Sequence, residues 1–184
     1  MPPKLIKRVL VMDNPRTIFW LNAASVIVFM ALLAVLTMLT GTTSFSFNTD
    51  DGRQLITGSI LAGGLIIGSF PVHELIHGAC YKLFQPQRPV KFGFKQGMLY
   101  ATSPETRYRR WQFVIIGVAP FVLLTAVFAI GWGLGWLSSG VFVLVTAVHG
   151  SGCTGDAYLV GRLLLTPKGK WVTDTEQGID IYDD

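Results

Sequence analysis

The sequence predicts an all-α membrane fold: four transmembrane helices, with a short cytosolic, membrane-associated β-hairpin between the second and third. Three observations carry this. Of 184 residues, 51% are hydrophobic and only 14% are charged, where a soluble domain holds about 25% charged residues. So few charges cannot coat a water-facing surface. Four apolar runs, at 17–39, 55–84, 111–136 and 141–165, each reach the roughly 20 residues a helix needs to cross the hydrocarbon core. Finally, the basic residues cluster between these runs in a one-sided way.

The first run is too long for a signal-peptide core and lacks a small-residue cleavage site, so it is expected to stay as a span. The second run is the least uniform. Before the first run stand Lys4, Lys7, Arg8 and Arg16, while the first connection holds Arg53 beside Asp50 and Asp51. Lys82, Arg88, Lys91, Lys95, Arg107, Arg109 and Arg110 surround the second connection, and Arg162, Lys168 and Lys170 follow or close the fourth run. With both termini in the cytosol, 14 of the 15 Lys and Arg residues lie inside, as the positive-inside rule requires. The expected location is therefore the plasma membrane of a prokaryote.

Within the second connection, Pro89 to Phe94 and Met98 to Thr102 are strand-forming segments around Lys95-Gln96-Gly97, which reads as a β-hairpin. Residues 1–166 form one polytopic domain. The segment 167–184, acidic at its end, is expected to be a mostly disordered cytosolic tail, with Trp171 touching the interface. The two cysteines, Cys80 and Cys153, lie in apolar runs and give no disulfide framework.

The chemistry sits late in the second run, in His73-Glu74-Leu75-Ile76-His77. Residues four apart share a helix face, so both imidazoles can reach one metal ion. Glu74 can lean over the open coordination position and take a proton from bound water. Two histidines and a carboxylate in hydrocarbon cost several kcal/mol without partners, so intramembrane ionisable groups point to function.

Catalytic zinc usually has three protein ligands. The fourth run supplies candidates in His149, Cys153 and Asp156. Glu74 and Asp156 are the only carboxylates of the four runs, and His73, His77 and His149 the only histidines of the chain. At 1.5 Å per residue, His73 lies roughly 27 Å and Asp156 roughly 23 Å from the outer ends of their runs. Two assignments stand open. Asp156 is the third ligand and His149 donates to the developing oxyanion, or His149 is the ligand and Asp156 supports it. Asp156 also reads as a helix cap or a partner of Arg162, and Cys153 as a small buried residue. Gly150, Gly152 and Gly155 would let the helix loosen at this depth.

The chain resembles the putative zincin peptidase family, small bacterial and archaeal membrane proteins. The resemblance is carried by Pro71-Val72-His73-Glu74-Leu75-Ile76-His77-Gly78, Phe92-Gly93-Phe94, Arg110-Trp111-Gln112-Phe113, Ala119-Pro120-Phe121 and the Ser151 to Asp156 segment. It covers residues 50 to 166. More distantly the chain is similar to the site-2 protease family, although Gly-Cys-Thr-Gly-Asp-Ala stands here instead of an Asn-Pro-Asp-Gly pattern. The resemblance implies Zn2+ held by His73, His77 and Asp156, with Glu74 as general base.

Together these features predict an intramembrane zinc metallopeptidase, with catalytic residues Glu74 and His149. Its partners are the lipid bilayer and a membrane protein or peptide substrate, with no nucleic acid. The alternative class is a non-catalytic metal-binding or transport protein. An edge of the 90–102 hairpin could hold an unwound substrate by strand addition.

Overall fold

The computed structural model describes residues 4–11, 13–42, 52–95, 98–168 and 170–183. In chain order come β1 (Leu5–Leu10), α1 (Pro15–Thr40), α2 (Gly52–Phe84), β2 (Lys91–Lys95), β3 (Met98–Thr102) and β4 (Arg107–Arg109). They are followed by α3 (Arg110–Gly133), α4 (Ser139–Gly152), α5 (Thr154–Leu164), β5 (Trp171–Thr175) and β6 (Gly178–Tyr182). The acidic pair Asp50 and Asp51, and residues 96 and 97 of the expected hairpin turn, lie outside the described residues.

Three helices, in α1, α2 and α3, are long and apolar enough to cross a membrane. Local chemistry sets the ends of α1. The Asn14 side chain accepts hydrogen bonds from the backbone N–H groups of Arg16 and Thr17, and Pro15 occupies the first turn, where its missing N–H costs nothing. At the other end Gly41 takes φ 65°, the left-handed conformation that a side chain disfavours. Trp20, Ile27 and Met38 of α1 are all more than two-thirds exposed, a surface suited to hydrocarbon.

The fourth apolar run departs from expectation. It is two helices rather than one span. α4 ends at Gly152, Cys153 bonds its N–H back to the carbonyls of His149 and Gly150, and α5 restarts at Thr154. The hydroxyls of Ser151 and Thr154 bond back to the carbonyls of Val148 and Ser151. Such bonds compete with the helical ladder and favour a break. Gly150 acts differently from a loosening residue: a Cβ there would lie 2.6 Å from Leu32 Cδ1, so it permits close packing of α1.

The fold is also not all-α. β2 and β3 form the expected antiparallel hairpin, with Lys91 opposite Thr102 and Phe94 opposite Leu99. A second, four-stranded antiparallel sheet has the order β1-β6-β5-β4. The segment 167–184, expected to be disordered, supplies its two central strands. The physical reason is burial: Val172, Ile179 and Ile181 pack with Val9, Tyr81, Tyr108, Phe113, Ile116 and Leu163 in one core. The Arg8 guanidinium bonds both carboxylate oxygens of Asp180, at 2.7 and 2.8 Å. Arg110 donates to the carbonyls of Leu164 and Thr166, satisfying the end of α5.

This sheet fixes the direction of the helices. β1 precedes α1, β4 lies between α2 and α3, and β6 closes the described chain. Their pairing gathers the start of α1, the end of α2, the start of α3 and the end of α5 at one end of the molecule.

Candidate metal centre

α2 carries His73 and His77 one turn apart, and the break at Cys153 lets α5 present Asp156 in its first turn. Three ligand atoms converge there. His73 Nε2 lies 3.0 Å from His77 Nε2 and 3.1 Å from Asp156 Oδ2, and His77 Nε2 lies 3.4 Å from Asp156 Oδ1. Ligands about 2.0–2.1 Å from a tetrahedral zinc stand roughly 3.3 Å apart, so the spacing fits. The side chain of His77 is 9% exposed and that of Asp156 24%, so the cluster is more open on the Asp156 side.

The orientation of His77 has a traceable cause. Its Nδ1 donates to the carbonyl of Ile116 at 2.9 Å, which leaves the lone pair on Nε2, the atom in the cluster. In an unbroken helix that carbonyl would accept from the N–H four residues on. Here that residue is Pro120, inside α3 and without an N–H. Pro120 thus frees the acceptor that sets the tautomer of His77.

Glu74 follows His73 on the helix and is half-buried, facing the backbone N–H of Ala101 on β3. Phe92 of β2 packs over Gly78, where a Cβ would stand 2.5 Å from the ring, so the hairpin lies directly against the motif helix.

His149 is placed differently. Its Nε2 lies 3.3 Å from His73 Nδ1, the ring nitrogen on the far side from the Asp156 cluster. Cys153 Sγ is 3.8 Å from the same Nδ1 and 3.7 Å from His149 Nε2. Asp156 meets the imidazoles and not Arg162, whose guanidinium faces the Tyr158 ring.

A family model described as Putative zincin peptidase matches residues 66–171. The chain belongs to the putative zincin peptidase family. The match spans the histidine motif, the hairpin, α3, α4 and α5, and ends as β5 begins. Membership makes the chain one of a family named for zinc peptidases, and the paired His73, His77 and Asp156 donors are a set that could hold such an ion. No curated protein and no solved structure matches the chain.

One residue near the His73, His77 and Asp156 cluster escapes a reading by motif. Asp174 on β5 is buried beside Tyr81 and Thr102, close enough for its charge to act on His77 and Asp156. Burial pushes its carboxyl up to about 7. The alternation of β5 signals this: Asp174 stands two residues from buried Val172, on the same face of the strand.

Proposed function

We propose that the chain is an intramembrane zinc metallopeptidase of the site-2-protease type. It would hydrolyse peptide bonds in membrane-embedded or membrane-proximal segments of other proteins. The observation that carries this is the convergence of His73 and His77 with Asp156, from two separate apolar runs, beside Glu74.

His73, His77 and Asp156 would hold the ion. Bound zinc would supply Lewis acidity, acidifying a water and polarising the peptide carbonyl. Glu74, one residue from His73, takes the proton of the attacking water and passes it to the leaving amine. β3 is an edge of a two-stranded sheet that lies against the motif helix, which supports a substrate lying extended along it, held by main-chain hydrogen bonds as an added strand. A helical substrate must unwind to be cut, since its carbonyls are already hydrogen-bonded. His149 touches His73 and not the open side, so in this reading it acts on a ligand rather than on the oxyanion.

The gathering of β1, β4, β5 and β6 in one sheet supports four crossings, with α4 and α5 together making the last. With the basic residues around that sheet, both termini would face the cytosol of a prokaryotic cell.

The test is Glu74→Gln in purified protein reconstituted with candidate membrane substrates. Cleavage should fall about 100- to 10,000-fold, the span for a lost general base, with zinc content unchanged. Cleavage unaffected by this change would refute the assignment. Zinc binding without any proteolysis by the unmodified chain would favour a metal-binding or transport role.

A further inference from the structure

His73 presents one ring nitrogen to the zincin cluster and the other to a second group of donors. His73 Nδ1, His149 Nε2 and Cys153 Sγ stand 3.3, 3.7 and 3.8 Å apart. We propose that these three atoms form a second metal site, for a thiophilic ion such as zinc, with His73 as a bridging imidazole. This rests on the metallopeptidase reading in one respect: His73 Nε2 binds the first ion.

Three arguments support it. First, the spacing suits a metal. With zinc–nitrogen distances of about 2.0–2.1 Å and zinc–sulfur of about 2.3 Å, ligand edges are roughly 3.3 Å between nitrogens and 3.6 Å between nitrogen and sulfur. The observed edges need close by only a few tenths of an ångström.

Second, hydrogen bonding alone leaves the group poorly satisfied. The Cys153 thiol points to the His149 carbonyl at 3.3 Å, which turns sulfur lone pairs toward the two nitrogens. One proton at most can lie between His73 Nδ1 and His149 Nε2. His149 is 2% exposed, so solvent supplies no further donor to its Nε2. A hydrogen-bonded role for His149 therefore accounts for one N–H···N pair and leaves Cys153 Sγ beside it with no proton directed to it.

Third, the charges balance. Binding a divalent ion here releases two protons, one from the Cys153 thiol and one from His73 Nδ1. Thiolate and imidazolate then neutralise the ion, and no net charge is buried among apolar helices. Mixed sulfur and imidazole donors suit zinc and other thiophilic ions. The ion would tie α2 to the junction of α4 and α5, where the chain turns to present Asp156.

The experiment is metal loading of the full chain in detergent micelles, with zinc counted by elemental analysis and cobalt(II) used as an optical probe. The expected result is about two ions per chain, with a near-ultraviolet sulfur-to-cobalt charge-transfer band. Cys153→Ala should keep about one ion and lose the band. Asp156→Ala should lose the other ion and keep the band. The cobalt spectrum of the unmodified chain decides the matter even if a variant fails to fold. One ion and no sulfur band in the unmodified chain would overturn the second site and leave the peptidase reading intact. One ion with the sulfur band would overturn the bridged arrangement. Two ions that survive Asp156→Ala would instead count against Asp156 as a ligand.

Discussion

Replacing Pro120 by alanine should strengthen α3 and weaken zinc binding at the same time. A proline inside a helix costs about 3 kcal/mol relative to alanine. Pro120 is fully buried, so losing its two extra ring carbons forfeits about 1.6 kcal/mol at roughly 0.8 kcal/mol per methylene. The balance is a gain of about 1–1.5 kcal/mol in the metal-free protein. Alanine also restores an N–H that competes with His77 Nδ1 for the Ile116 carbonyl. Loss of such an orienting partner lowers metal affinity by about 10- to 100-fold, or about 1.4–2.7 kcal/mol. The assay pairs thermal melting of the metal-free protein with zinc titration against a competing chelator. Raised stability with unchanged zinc affinity would refute the reasoning, because the carbonyl would then serve both donors. A fall in both would show that Pro120 matters only as packing volume.

Other consequences are open to direct measurement. Gly78→Ala should push Phe92 and the hairpin away from α2 and cut proteolysis more than zinc binding; adding Phe92→Ala should restore part of the loss, and absence of rescue would break the link. Asp174→Asn should raise the melting temperature above that of the unmodified protein at pH 8, with the gap narrowing as pH falls through about 7 and closing only below about pH 4. The sign follows because the folded state, with its carboxyl up at about 7, holds a proton that the unfolded chain releases near pH 4. The stability it contributes is present at low pH and lost as pH rises toward 7; a gap independent of pH would contradict this. Labels placed near Lys95 and after Asp184 should be reached from the cytosol and one near Asp51 from outside, and a cytosolic Asp51 would undo the four-crossing reading.

The long helices were legible because hydrophobicity alone specifies them. The expected runs 17–39 and 55–84 fall within α1 and α2, while α3 ends three residues before the expected 111–136. The meeting of His73, His77 and Asp156 was legible because polar residues in such runs are few and must find one another. The placing of His149 against His73 Nδ1 was not, since it depends on how α4 packs on α2, which spacing along one run cannot show. The four-stranded sheet was equally hidden. Its strands are three to six residues long, and each is ordinary until its partner is known. The composition of 167–184 suggested disorder because the aspartates were read as solvated. Asp180 meets Arg8 across the sheet, and Asp174 faces inward.

The pairing of β1 with β6 joins residues 172 positions apart. β1 is made before α1 and β6 after α5, so the sheet cannot close until α1 to α5 have all been synthesised. Helices α1 to α5 are therefore already made when Asp174 and its strand arrive beneath the histidine helix. An unfinished chain therefore carries the histidine motif without its floor. Because β5 and β6 are made after all of these helices, their arrival works as a timer on assembly of the histidine cluster.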